Sequence, residues 1–326
     1  MILVTGSAGR VGRAVVAALR SQGRSIRGFD LRSSGLADEV VGSLDDAQAV
    51  AQAMSGINDV LHLGAFMSWV PADQQRMFTA NVEGTRILLQ AAANEGVRRF
   101  VFASSGEVYP ENNPQFLPVT EEHPLQPTSP YGLTKLLGEE LVRFHQRAGR
   151  METVILRFSH TQDAAELLDE DSFFSGPRFF LRPRIRQQEG FGNTAIAHLL
   201  RAADIGEPSH VLARNQDGRP FRMHITETRD MVAGVLLALD HPAAVGGTFN
   251  LGSDEPVDFA DIVPLMSELT ELPIVTVDLP GAGVYYHTSN ELIRRTLGFS
   301  AEWTVKRMLS EAAPARSRRL AEGRQA

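Results

Sequence analysis

Met1-Ile2-Leu3-Val4-Thr5-Gly6-Ser7-Ala8-Gly9-Arg10-Val11-Gly12 is the stretch that decides the fold. Its first five residues read as a buried strand of a parallel sheet. Glycines at 6, 9 and 12 follow, and a helical pattern runs over Arg10–Ser21. A glycine turn between strand and helix lets the backbone approach a pyrophosphate, and the helix N-terminus offers N–H groups and its dipole to that charge. Gly6, Gly9, Arg10, Val11 and Gly12 are therefore candidate dinucleotide contacts.

Working outward, Ser25–Asp30, Asp59–Leu63, Arg99–Ala103 and Thr153–Arg157 read as further buried strands. Gln74–Glu95 and Pro130–Ala148 read as the helices between them. This alternation predicts an α/β fold, a Rossmann-type doubly wound parallel sheet. Asp30 ends the second strand, where a carboxylate accepts hydrogen bonds from ribose hydroxyls and repels a 2′-phosphate, so NAD is favoured over NADP. Arg32, two residues on, works against that preference.

Beyond Arg157 the pattern loosens, and residues 163–190 are rich in arginine, phenylalanine and proline with no clean period. Helical patterns return at Thr194–Ala203, Glu227–Leu239, Phe259–Leu269, Asn290–Leu297 and Thr304–Ala312. The division expected is an NAD-binding domain over 1–160, to which later segments return, and a smaller C-terminal α/β substrate lobe over 161–313. A frayed, flexible tail is expected over 314–326.

The chain holds thirty arginines and two lysines. One lysine, Lys135, stands four residues after Tyr131 in Ser129-Pro130-Tyr131-Gly132-Leu133-Thr134-Lys135, a spacing expected by chance only about 0.02 times here. Residues four apart share a helix face; Ser129 suits the N-cap and Pro130 the first turn. Bringing a phenol from a pKa of about 10 to about 7 takes roughly 4 kcal/mol, about what one ammonium some 4 Å away supplies at an effective dielectric near 20. The pair predicts a tyrosine acid/base acting on an alcohol or carbonyl.

The net charge of -7 argues against a nucleic-acid surface. With no cysteine, thiolate chemistry and cysteine metal sites are excluded, and the nine histidines show no zinc spacing, so no metal is expected. No apolar run reaches spanning length and no signal peptide is read, so the expectation is a cytoplasmic protein with no membrane partner.

With the glycine loop and the Tyr131/Lys135 pair in hand, the chain resembles the extended short-chain dehydrogenase/reductase family, which includes the sugar-nucleotide epimerases and dehydratases. Further motifs carry the resemblance: Leu61-His62-Leu63-Gly64-Ala65, Asn81-Val82-Glu83-Gly84-Thr85, and Ala103-Ser104-Ser105-Gly106-Glu107-Val108-Tyr109. The resemblance implies that Leu63, Gly64, Ala65, Asn81 and Ala103 serve the cofactor site. It puts Ser43 and Leu44 against the adenine, with serine a departure from the usual aspartate. It implies that Ser105 hydrogen-bonds the reacting oxygen, that Lys135 also holds the nicotinamide ribose, and that Glu107 is a second acid/base or a substrate-orienting group. Gly106, His160, Asn193 and Arg222 complete the substrate contacts, and a homodimer is implied.

The chain also departs from the family. His160 stands where an asparagine is usual, and either orients a substrate group, shuttles a proton or is structural. Phe173–Arg186 sets four arginines among aromatic residues, suited to clamping a phosphate or carboxylate, or to a solvated loop or subunit contact. Pro220 and Val284-Tyr285-Tyr286-His287 stand where diphosphate-binding arginines are usual. The implied activity is NAD-dependent hydride transfer at a secondary alcohol of a sugar or sugar-like small molecule. A dehydrogenase is slightly favoured over a nucleotide-sugar epimerase, with a decarboxylase or dehydratase behind and a non-catalytic dinucleotide sensor remote.

Overall fold

The computed structural model describes residues 1–110 and 112–323. Seven strands form one parallel sheet: β1 (Ile2–Thr5), β2 (Ile26–Asp30), β3 (Glu39–Val41), β4 (Asp59–His62), β5 (Arg99–Ser105), β6 (Glu152–Phe158) and β7 (Thr248–Leu251). Their order is β7-β6-β5-β4-β1-β2-β3. Five match the strands expected from sequence to within two residues. The two that do not, β3 and β7, are the short edge strands, whose three or four residues carry little pattern. The order reverses between β1 and β4, which opens a crevice beyond their C-terminal ends.

Successive side chains of a strand alternate between faces, and the two cores record it. Ile2, Val4, Leu61 and Val101 pack under the helices Arg10–Ser21 and Thr228–Asp240, with Val15, Leu19 and Val235. Leu3, Val60, Phe100 and Phe102 pack on the other face against Val50, Leu88 and Val142. The segment read as one helix over Gln74–Glu95 is α-helical at Gln74–Phe78 and Gly84–Glu95, joined by a π-helical turn over Thr79–Glu83.

The C-terminal half builds a third core around the parallel pair His210–Arg214 and Ile274–Asp278, the helix Phe259–Thr270 and the helix Val305–Gly323. Residues 163–190 join it. They form the short helix Ser175–Phe179 and the helix Leu181–Gly190, burying Phe179, Leu181 and Ile185. Their period was unreadable because Pro177 and Pro183 interrupt it, yet Pro183 lies in a first turn, where no N–H partner is lost.

The tail corrects the sequence reading. Helix continues through Pro314 to Gly323, because Ala312 and Ala315 are buried and Arg319 donates to the Ala165 carbonyl at 3.0 Å. Residues 324–326 of the expected tail lie outside the described residues. Among the described residues no helix is long and apolar enough to cross a membrane.

A buried polar network ties the Pro130–Arg147 helix to the sheet. Glu139 accepts from Arg157 on β6 at 2.8 and 2.9 Å, from Ser104 on β5 at 2.6 Å and from Arg143 at 2.6 Å. Arg157 also donates to Tyr109 Oη at 2.6 Å, which donates to Asn250 on β7 at 2.8 Å. Burial alone would raise the Glu139 pKa, but Arg157 with Ser104 and Arg143 holds it below the usual carboxylate value. A depressed carboxylate contributes stability above its unfolded pKa and loses it as the pH falls through the folded one. Removing one partner of a buried pair typically costs about 3–5 kcal/mol. Arg157→Met is therefore expected to lose about that much in denaturant unfolding at pH 7, with Glu139→Gln added to it recovering a large part. A loss below about 1 kcal/mol would show that the network does not carry this weight.

Candidate active site

A cavity of about 1290 Å³ lies along the crevice. Ligand pockets are typically about 300–1,000 Å³, so there is room for a cofactor and a second ligand. Gly6, Gly9, Arg10, Val11, Gly12, Asp30, Ser43, Leu44, Leu63, Gly64, Ala65, Ala103, Ser105, Glu107, Tyr131, Lys135 and His160 all line it. Asn81, Gly106, Asn193 and Arg222 do not.

The phosphate end rests on two backbones in contact. Gly6 has φ +71°, and a Cβ there would meet the Gly64 backbone at 2.7 Å. A Cβ on Gly12 would stand 2.0 Å from the Gly6 carbonyl oxygen, so the turn accepts only glycine. A polar chain fixes this approach. Gly64 N–H donates to Thr5 Oγ1 at 3.1 Å, and His62 bridges Thr5 at 2.7 Å and Thr85 at 3.0 Å. Thr85 donates to the Asn81 carbonyl at 2.6 Å, so His62 Nε2 carries the proton and Nδ1 accepts from Thr5. Burial and the charge of Lys135 pull His62 down to about 3, keeping it neutral.

Asp30 accepts from Ala8 N–H at 3.0 Å and from Arg32 N–H at 3.2 Å, which holds its carboxylate at the cavity wall. Ser43 bonds Asp45. The Arg10 side chain turns away from the glycine turn, donating to Glu166 at 2.7 Å and the Thr161 carbonyl at 3.1 Å. What remains at Arg10 for an anion is its place in the helix's first turn, where no side chain caps the N–H groups. Together, the glycine-only turn, the uncapped helix start and the carboxylate at the end of β2 fit a dinucleotide.

Asn81, expected in the cofactor site, stands behind the cavity wall. It sits in the π-helical turn and clamps the Phe66 backbone through both its amide atoms, at 2.8 Å each, while donating to Thr134 at 3.0 Å. It positions the loop after β4 rather than lining the cavity.

The reacting centre is built by the cap expected at Ser129. Its Oγ accepts from Gly132 N–H at 2.9 Å and donates to Glu107 Oε2 at 2.5 Å. Ser105 ends β5 and accepts from Glu107 N–H at 3.2 Å. Lys135 Nζ donates to the Ala103 carbonyl at 2.7 Å and stands 5.6 Å from the Tyr131 ring centre. Burial raises the Tyr131 pKa, and the Glu107 charge raises it further. Burial likewise raises Glu107, against the Ser129 hydrogen bond. Without cofactor, Lys135 does not bring the phenol toward 7: its ammonium donates to the Ala103 carbonyl, and a carboxyl opposes it. In the protein by itself Tyr131 is a proton donor.

The substrate assignments divide. His160 accepts from Arg178 at 2.7 Å through Nε2, and burial with the Arg178 charge lowers its pKa well below the usual value, so it is neutral and oriented. Gly106 is buried behind the wall, its carbonyl taking a 3.2 Å bond from Tyr286, which does line the cavity. Asn193 is exposed and donates to Gln188, because it precedes a surface helix. Arg222 lies on the ring of Tyr285, its centre 5.7 Å away, in a small antiparallel pair whose Met223, rather than Arg222, lines the cavity. Sequence reasoning did not nominate Arg184, Gln187 or Tyr286, all in the wall. Arg184 lay within the arginine-rich stretch singled out as a possible anion clamp.

A model of the NAD dependent epimerase/dehydratase family matches residues 2–162. The chain is similar to sterol demethylase protein B of Methylococcus capsulatus, 35% identical over 47% of this chain, and spans 49% of that protein. It is 28% identical to a UDP-glucose 4-epimerase of Halalkalibacterium halodurans, over 84% of this chain and 81% of that one. Among solved structures, a short-chain dehydrogenase/reductase superfamily protein from Agrobacterium tumefaciens with bound NAD is 76% identical, with a TM-score of 0.98 over 100% of both chains.

Lys135 supplies a test. Burial lowers it to about 8 from the usual 10.5. The unfolded chain thus binds more protons between those values, so the cost of burying the ammonium is full below pH 8 and vanishes above 10.5. That cost is on the order of 3 kcal/mol. Cofactor-free Lys135→Met is expected to be more stable than the wild type at pH 7, with the gap closing as pH rises to 10.5. A gap that stays constant with pH would contradict this account of Lys135.

Proposed function

Because the chain belongs to the extended short-chain dehydrogenase/reductase family, we propose that it is an NAD-dependent enzyme performing tyrosine-assisted hydride transfer at a secondary alcohol of a sugar-like molecule. The observation that carries this reading is the convergence of Ser105, Tyr131 and Lys135 on the cavity that also holds the glycine turn. The turn Gly6–Gly12 would hold the diphosphate, Asp30 the adenosine ribose hydroxyls, and Lys135 the nicotinamide ribose. When bound, NAD supplies the hydride acceptor and, in its oxidised form, a positive charge near the phenol. Ser105 hydrogen-bonds the reacting oxygen and Tyr131 takes the hydroxyl proton. Lys135 favours the phenolate, and Glu107 sets how much help the phenol needs.

Two observations bear on the net reaction. The wall at Phe221, Met223, Val284 and Tyr286 is largely apolar, where the resemblance leads one to expect diphosphate arginines. This supports a dehydrogenase acting on a small sugar-like substrate. The UDP-glucose 4-epimerase similarity favours the second reading, an epimerase that keeps its NAD bound. Incubation with NAD and panels of free sugars, sugar acids and nucleotide sugars separates them: accumulated NADH marks a dehydrogenase, isomerised product without NADH an epimerase. General acid–base groups contribute about 10²–10⁴-fold. Tyr131→Phe is expected to lose about that much of kcat with NAD binding retained. Near-wild-type turnover in that variant would sink the mechanism.

The homodimer is also a proposal. Leu133, Leu137 and Phe144 lie within one stripe of the Pro130–Arg147 helix and are exposed. A second copy covering this stripe predicts that Leu137→Glu with Phe144→Glu shifts the protein to monomer in light scattering. An unchanged mass would place any interface elsewhere.

A further inference from the structure

Among the described residues, Arg184 has no counter-ion, and it stands in the wall of the cavity. It comes from the helix Leu181–Gly190, and its Nε is buried with no hydrogen-bond partner. Its one hydrogen bond is a long 3.4 Å contact from Nη1 to the Arg178 carbonyl, and its centre stands 5.6 Å from the Phe221 ring. It forms no ion pair among the described residues.

Among the described residues the cavity wall contains two carboxylates, Asp30 and Glu107. Asp30 is engaged by the Ala8 and Arg32 N–H groups, and Glu107 accepts from Ser129. In a chain of net charge -7, a wall carrying Arg10, Arg32, Arg76, Arg178, Arg184 and Lys135 concentrates positive charge where ligands bind. Burial pulls Arg184 down to about 10, so at neutral pH it stays charged. A desolvated cation without a partner is unfavourable until an anion arrives, and a guanidinium fork matches a carboxylate or phosphate.

We infer that Arg184 forms an oxyanion subsite that takes a carboxylate or phosphate group carried by the substrate. The location supports a substrate group rather than the cofactor. Arg184 comes from the helix Leu181–Gly190, far along the chain from the glycine turn that provides for the cofactor diphosphate. Naming the ligand a substrate rests on the hydride-transfer reading; the anion site itself does not.

The test is isothermal titration of the NAD-saturated full chain with four anionic probes and one neutral control. The anions are D-gluconate, D-glucuronate, D-glucose 6-phosphate and UDP-glucose; D-glucose is the control. At least one anion is expected to bind on the order of 10- to 100-fold tighter than D-glucose, the worth of a charge-assisted hydrogen bond. Which one binds distinguishes a carboxylate, a phosphomonoester and a diphosphate. Arg184→Gln should abolish that margin while NAD affinity is retained, and Arg184→Lys, which keeps the charge without the fork, should restore part of it. The proposal is overturned if no anion outbinds D-glucose, or if Arg184→Gln binds the anion as tightly as wild type. Loss of anion binding in Arg184→Gln, with neither NADH nor isomerised product from any bound probe, would support the subsite and sink the hydride reading. Turnover of D-glucose unchanged in Arg184→Gln, with no preference for anions, would do the reverse.

Discussion

One helix face organises the centre of this molecule: Tyr131, Lys135 and Glu139, each one turn apart on the Pro130–Arg147 helix. Glu139 and Lys135 are buried against the sheet, while Tyr131 reaches the cavity. Such a column of ionisable groups is costly unless every member is paired. Glu139 is paired by Arg157, Ser104 and Arg143, and Lys135 by the Ala103 carbonyl. Those bonds lock the helix to β5 and β6, and so fix where the phenol stands relative to Ser105. The same burial keeps Lys135 easily deprotonated and Tyr131 reluctant to ionise. The site is thus held in a state that added positive charge can change.

Much of this was legible in the sequence because local signals agreed with the fold. The five central strands are apolar runs, and the Ser129 cap and the Gly6–Gly12 turn are short-range devices whose residues state their own geometry. Residues 163–190 were not legible. Their helices carry prolines in the first turn and bury phenylalanine and leucine against a core assembled from strands far away in sequence. The tail misled for a similar reason: Pro314 suggested an end to helix, but Ala312 and Ala315 are buried on both sides of it.

The site shows the same division. Residues at the sheet's C-terminal edge line the cavity. Asn193 and Arg222, assigned from the lobe with the weaker pattern, turned out to face elsewhere. Asn81 was placed correctly along the chain but plays a different part, since its amide clamps the Phe66 backbone from a π-helical turn that no sequence period reveals. The phenol's electrostatics were also beyond reach, because they depend on where the Lys135 ammonium points and on the Glu107 carboxyl beside it, and neither follows from a four-residue spacing.

The central claim is that the Tyr131 proton is governed by charge brought to the cavity rather than by Lys135 alone. Ultraviolet difference titration of the phenol, comparing wild type with Tyr131→Phe, measures it directly. In the protein alone and with reduced cofactor, Tyr131 is expected to ionise above the ordinary phenol range. With oxidised NAD bound, its titration should move to distinctly lower pH. The same high titration in all three states would contradict the account.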